Sequence, residues 1–209
     1  RPNYNSVVAT FCYNVSRSLP IQVNNPQTKL ELLYIDDLVA EIISCLIDYE
    51  NESSETGRTK IESENGQCYY VVPCTHKVTL GEIEELLLSY KESRTKLILP
   101  DLTPGSFSKK LYSTYLSYLP EDQFSYPLSM HEDERGSFTE LIRTKTNGQF
   151  SVNISKPGIV KGNHWHHTKN EKFIVVSGNA LFQFRKIGEE KIINYRASGE
   201  KIEVIDIPP

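Results

Sequence analysis

The sequence predicts two kinds of fold in succession: an α/β part over residues 1–120 and an all-β barrel or sandwich over residues 124–209. Three observations carry that expectation. Apolar residues recur at helical spacing as far as Tyr90 and lose that period after about residue 125. From there six short runs alternate apolar and polar residues: Phe138–Arg143, Phe150–Ile154, Phe173–Val176, Ala180–Arg185, Ile192–Tyr195 and Ile202–Ile207. Period-two runs bounded by turn residues are the mark of strands. Between the two textures, Pro100, Pro104, Gly105 and Pro120 frame a Tyr-rich stretch, Leu111 to Tyr118, which reads as a linker.

Each element has its own local reason. Val7, Val8, Phe11, Cys12 and Val15 make one apolar face, so residues 6–17 are expected to be a helix. Ile21 to Val23 reads as a short strand and Asn24-Asn25-Pro26 as a turn. Leu30, Leu32 and Tyr34 alternate toward Asp36-Asp37, which stand where a helix N-cap is expected, ahead of Leu38, Val39, Ile42, Ile43, Leu46 and Ile47. Residues 50–67 are polar, with Ser53-Ser54, Gly57 and Gly66, and read as a solvated loop. Cys68 to Val72 has the composition of a strand. Thr79-Leu80-Gly81-Glu82 is a capping box, in which the hydroxyl and the carboxylate each accept from the other residue's backbone N–H. Ile83, Leu86, Leu87 and Tyr90 follow it on one helix face. Asn147-Gly148 is a hairpin signal, because both residue types tolerate positive φ.

Composition excludes some classes of function. The chain has 209 residues, a net charge of −4 and a pI near 5.8, with no basic stripe of the kind that nucleic-acid binding requires. No apolar run approaches the roughly 20 residues that span a bilayer, and no segment after Arg1 has the order of a signal peptide. Cys12, Cys45, Cys68 and Cys74 form no CxxC pair and are expected to be reduced, partly buried thiols of a cytoplasmic protein.

Three of the five histidines fall within His164 to His167. The spacing runs Gly158, five residues, His164, one residue, His166, four residues, Glu171, six residues, Gly178. In a strand, residues two apart point to one face, so His164 and His166 are expected to enter a barrel together. Glu171, after the polar turn Thr168-Lys169-Asn170, is expected to point back at them. Two imidazoles and a carboxylate leave coordination positions open and suit Zn, Fe, Mn or Ni, zinc being expected first. The alternative is a metal-free barrel in which His164 is a general base. His167 is expected to be exposed, and Trp165 to pack on the outer face. Upstream, Asp133 to Glu140 reads either as a charged turn entering a strand or as a segment whose Arg135 holds a phosphate or sugar oxygen.

The Gly158 to Gly178 spacing matches the first motif of the cupins. Arg135-Gly136-Ser137-Phe138-Thr139-Glu140, Asn153-Ile154-Ser155 and Lys161-Gly162-Asn163-His164 resemble the nucleotide-sugar 3,5-epimerase branch of that family. There the His of an Arg-Gly-x-His segment is the catalytic base. The resemblance therefore implies His164 as base, with Lys161 in the arginine's place, keeping a charge without the bidentate fork. Tyr4-Asn5-Ser6-Val7 and Tyr34-Ile35-Asp36-Asp37-Leu38-Val39 resemble the C-terminal third of extended short-chain dehydrogenases, which supplies a nucleotide-sugar subdomain and the last strands of a Rossmann-type core. On that likeness Asn5 joins Arg135 as a substrate-binding residue. Asn163 to Phe173 and Val78 to Ile83 are similar to a family of bifunctional capsular-polysaccharide enzymes that join these two parts in one chain.

The resemblance implies a UDP-linked 2-acetamido-4-keto-6-deoxyhexose as substrate. The cupin part would epimerise C3, and the dehydrogenase part would reduce C4 with NADPH, on the route to UDP-N-acetyl-L-fucosamine. It also implies a divalent metal held by His164, His166 and Glu171, and a cytoplasmic homo-oligomer, a dimer in the first instance. Neither a nucleic-acid partner nor membrane insertion is expected. The chain opens at Arg1 without Met and stops at Ile207-Pro208-Pro209, so a fragment is expected. The family's glycine-rich nucleotide loop, its Tyr-x-x-x-Lys pair and the second cupin motif with its further His are not found in it. Productive NADP(H) binding by these residues is therefore not expected, and weak or absent metal is. Two rival classes are a non-catalytic sugar-binding or oligomerisation module and an iron-dependent cupin oxygenase.

Overall fold

The structure, a computed structural model, describes residues 2–50, 60–144, 146 and 148–207. They form two compact units, Arg1–Lys156 and Pro157–Pro209. The first holds helix α1 (Val7–Ser16), strand β1 (Lys29–Leu33), helix α2 (Ile35–Glu50), strands β2 (Lys60–Glu62), β3 (Cys68–Tyr70) and β4 (Thr75–Thr79), and helices α3 (Leu80–Lys96) and α4 (Phe107–Ser117). A 3-10 turn at Glu121–Gln123 leads into strands β5 (Met130–Asp133), β6 (Gly136–Thr144) and β7 (Gly148–Ser155).

The core of this unit is helical. Phe11, Cys12 and Val15 of α1 meet Ile83, Leu87 and Tyr90 of α3 and Leu111 and Tyr115 of α4, closed by Leu119. Ile83, Leu87 and Cys12 are wholly buried, and burial pushes the Cys12 thiol up to about 12. Tyr90 is as deep, and its hydroxyl donates to Ser108 O at 2.9 Å, which satisfies that buried phenol. The Leu111–Tyr118 stretch expected as a linker is thus most of a helix. Its signal was present: Leu111, Tyr115 and Leu119 recur every four residues, and Ser106 accepts from Lys109 N at 3.1 Å as the cap. The surrounding prolines lie outside the helix and bound it.

Two further expectations are corrected. Ile21 to Val23 joins no strand; Ile21 and Val23 pack against the helical core instead. Asp36 and Asp37 lie inside the first turn of α2, where carboxylates complement the helix dipole, and not at its N-cap. The apolar stripe of α2 lies open. Ile35, Val39, Ile42, Ile43, Leu46 and Ile47 are all exposed.

The capping box is formed as expected. Glu82 N donates to Thr79 Oγ1 at 3.2 Å, and Thr79 N donates to Glu82 Oε2 at 2.6 Å. Thr79→Ala is expected to cost about 1 kcal/mol in urea unfolding. The two hydrogen bonds from Thr79 hold the Glu82 carboxyl below its ordinary value. That half of the box is therefore intact at neutral pH and is lost as pH falls through the depressed value.

The sheets of the first unit are small and antiparallel: β1 with β4, β2 with β3, and the meander β5-β6-β7. No parallel pair of the Rossmann kind forms among the named strands of the described residues. The meander belongs to this unit, which runs to Lys156. The reason is a backbone splice: Arg143 N donates to Leu97 O at 2.6 Å, and Leu99 N donates to Arg143 O at 3.0 Å. These bonds fasten the end of β6 to the end of α3. Asn147, half of the expected hairpin turn before β7, lies outside the described residues.

The second unit pairs β8 (Glu171–Ile174) with β11 (Val204–Ile207), and β9 (Asn179–Arg185) with β10 (Ile192–Ser198). The Phe173 and Phe182 rings meet at 5.5 Å, and Gly199 N donates to Gly178 O at 2.9 Å. No sheet among the described residues closes on itself. Of the four cysteines, all free, Cys12 is buried, Cys45 half-buried, and Cys68 and Cys74 exposed. No helix of the described residues is long and apolar enough to cross a membrane.

Candidate metal and substrate site

Lys161 to His166 carry no strand hydrogen bonding, which corrects the expectation that the two histidines sit on a ladder. Gly162 and Asn163 both take positive φ, 111° and 58°, and break the extended run just before His164. The alternation survives locally even so. The His164 and His166 rings meet edge to face with centroids 4.9 Å apart. On the other side, Trp165 Nε1 donates to His167 Nε2 at 3.3 Å. His167 is exposed as expected, whereas Trp165 is 65% exposed and does not pack on an outer face.

Glu171 opens β8 and is half-buried, as is His166. Its Oε2 stands 3.8 Å from His166 Nε2. That imidazole nitrogen is buried and has no hydrogen-bond partner, which is a cost unless something satisfies it. Two imidazoles and a carboxylate are donors of the right chemistry for a divalent metal, and an orphaned nitrogen beside a carboxylate oxygen fits such a group. Three donors do not yet converge: among the described residues no group of three His, Cys, Asp or Glu side chains is drawn together tightly enough to hold an ion. The other carboxylate oxygen has a different neighbour, Lys169 Nζ at 2.6 Å. Sequence reading passed over Lys169 as part of a polar turn. Its signal was a cation two residues from a candidate carboxylate.

Lys161 and His164 are exposed in the second unit. Arg135 and Asn5 belong to the first. Arg135 forms the two-residue turn between β5 and β6, where its Nε and Nη2 donate to Asp133 Oδ2 at 2.9 and 2.6 Å. The Asp133 carboxylate beside it raises the guanidinium further above its already high value. The charged-turn reading of this segment describes that geometry, and an anionic substrate group would have to compete with Asp133. Asn5 is exposed, with φ 50°, and immediately precedes Ser6, the N-cap of α1. Sequence reading also gave no role to a cluster in the first unit. There Lys110 Nζ lies 2.5 Å from Asp37 Oδ2 and 3.1 Å from His76 Nε2, and ties α4 to α2 and β4.

Residues 131–209, which contain every candidate except Asn5, match the family described as the polysaccharide biosynthesis C-terminal domain. Along its whole length the chain is similar to the capsular polysaccharide assembling protein CapF from Staphylococcus aureus. The crystal structure of that protein superposes with a TM-score of 0.86 at 55% identity, covering 100% of this chain and 53% of that one. A structure of CapF with the inhibitor 3-isopropenyl-tropolone gives a TM-score of 0.87 at the same 55% identity. The UDP-2-acetamido-2,6-beta-L-arabino-hexul-4-ose reductase of Pseudomonas aeruginosa is 39% identical over 209 residues, 52% of its own length. The spore coat polysaccharide biosynthesis protein SpsL of Bacillus subtilis is 33% identical over 72 residues. The chain thus spans about half the length of the relatives that it matches throughout.

Proposed function

We propose that this chain is part of a nucleotide-sugar enzyme of capsular or related polysaccharide synthesis. Its substrate would be a UDP-linked 2-acetamido-4-keto-6-deoxyhexose on the route to UDP-N-acetyl-L-fucosamine. The observation that carries the proposal is likeness to CapF over every residue of the chain, joined to the His164, His166 and Glu171 set. Residues 124–209 form the cupin part of such an enzyme and catalyse epimerisation at C3. Residues 1–120 belong to the dehydrogenase part, which reduces C4 with NADP(H). A cytoplasmic homodimer is the expected assembly.

The chemistry follows from the substrate. The C3 proton lies next to the C4 ketone and is acidic. His164, exposed and edge-on to His166, takes that proton as a neutral imidazole. Lys161 supplies positive charge three residues away in sequence, where the enolate oxygen needs it. Within the first unit, Arg135 and Asn5 are the residues that would meet polar groups of a nucleotide sugar, Arg135 by exchanging its bond to Asp133. His166, Glu171 and His164 would hold the divalent metal, zinc in the first instance, which when bound supplies a Lewis acid for the ketone oxygen. A neutral imidazole has one lone pair, so at any moment His164 either ligates or accepts the proton.

The test is solvent deuterium incorporation. Incubated in D2O with the 4-keto nucleotide sugar, the full-length protein is expected to incorporate deuterium at C3, read by proton NMR, without uptake of O2. A protein that binds the sugar but exchanges nothing is a non-catalytic module. O2 consumption with stoichiometric iron makes it an oxygenase. Either result overturns the proposal.

A further inference from the structure

Glu171 stands between two claims. Its Oε1 is 2.6 Å from the Lys169 ammonium, and its Oε2 is 3.8 Å from the partnerless Nε2 of His166. The Glu171 side chain is 22% exposed and that of Lys169 is 57% exposed. The carboxylate is thus the more enclosed partner and the lysine side chain the more solvent-exposed one. An ammonium in contact with one oxygen neutralises much of the charge that a dication would meet, and it would repel that dication at close range. Left alone, a half-buried carboxylate pays for its desolvation, and Lys169 offsets that cost.

We propose that Lys169 is a built-in competitor for the metal: it neutralises Glu171 in the metal-free protein and must release it for Glu171 to ligate, so it sets the metal affinity of the site. The inference rests on the reading of His166 and Glu171 as metal donors. Lys169 acts through Glu171 and is a positioning residue. The opposite role, in which Lys169 merely orients Glu171 for the metal, predicts the opposite sign.

Zn2+ binding to the full-length protein is measured by competition with a chromophoric chelator, and Co2+ binding by its d–d absorption. K169M, which keeps the stem and removes the charge, is expected to bind Zn2+ roughly three- to tenfold tighter, the scale of an exposed ion pair plus the lost repulsion. K169Q is expected to shift the same way, and K169R to keep the wild-type affinity. The gap between K169M and wild type is expected to narrow as salt screens the ion pair. Unchanged or weaker binding by both K169M and K169Q overturns the proposal. If wild type binds Zn2+ and H166A does not, the metal reading stands whatever Lys169 does. If neither wild type nor H166A binds, the metal reading fails and takes this inference with it.

Discussion

Gly136→Ala is expected to destabilise the first unit by at least about 3 kcal/mol, with loss of the β5-β6-β7 meander. Gly136 has φ 139° and pairs with Asp133 on one side and Ser155 on the other. A Cβ there would stand 1.9 Å from Ile154 O, 2.9 Å from Ile154 C and 3.1 Å from Ser155 Cα. All three are backbone atoms in a hydrogen-bonded ladder, so no rotamer change relieves the clash. Two penalties add: a φ closed to L side chains, and a forced separation of β6 from β7. Gly105→Ala is the control. It shares positive φ, at 77°, but a Cβ there meets nothing within 4 Å, and it is expected to cost only about 1 kcal/mol. Urea unfolding followed by hydrogen exchange of β6 and β7 separates the two. A Gly136→Ala protein that unfolds within 1 kcal/mol of wild type, with β7 still protected, contradicts the close approach described here.

His164→Ala is expected to lower C3 proton exchange by roughly 10²- to 10⁴-fold, the usual contribution of a positioned base. The side chain is exposed, so the loss is expected without a matching loss of stability. Metal content measured on the same sample assigns the lone pair. Retained metal makes His164 the base, and lost metal makes it a ligand. His166→Ala is expected to remove metal, since its buried Nε2 has no other partner. Exchange undiminished in His164→Ala would remove the proposed chemistry from this residue altogether.

How much of this was legible depended on the range of the interaction. The cap at Thr79 and the faces of α1 and α3 were readable, because capping and helical periodicity are settled within four residues. So were the cores of the strands β6, β7, β9 and β10. Strands β2, β4 and β5 were missed: Lys60–Glu62, Thr75–Thr79 and Met130–Asp133 carry little alternation of their own and are made strands by partners elsewhere. Helix α4 was missed for the converse reason. Its four-residue period was outweighed by prolines that bound the helix without entering it.

At the site, residue types and spacing were set by the sequence alone: two imidazoles two residues apart, a carboxylate five residues on from the second, and glycines framing them. Likeness to capsular-polysaccharide enzymes was visible in the same residues. Tertiary structure alone decided that His164 and His166 face each other without a ladder, that Asp133 engages Arg135, and that Lys169 takes one oxygen of Glu171 while the other faces His166. It decided also that β8 pairs with β11, more than thirty residues onward in the chain. The physical reason is one and the same. A pattern of residue types records which groups are available, but which neighbour each group meets depends on backbone and rotamer choices that are settled only when distant segments such as β8 and β11 pair.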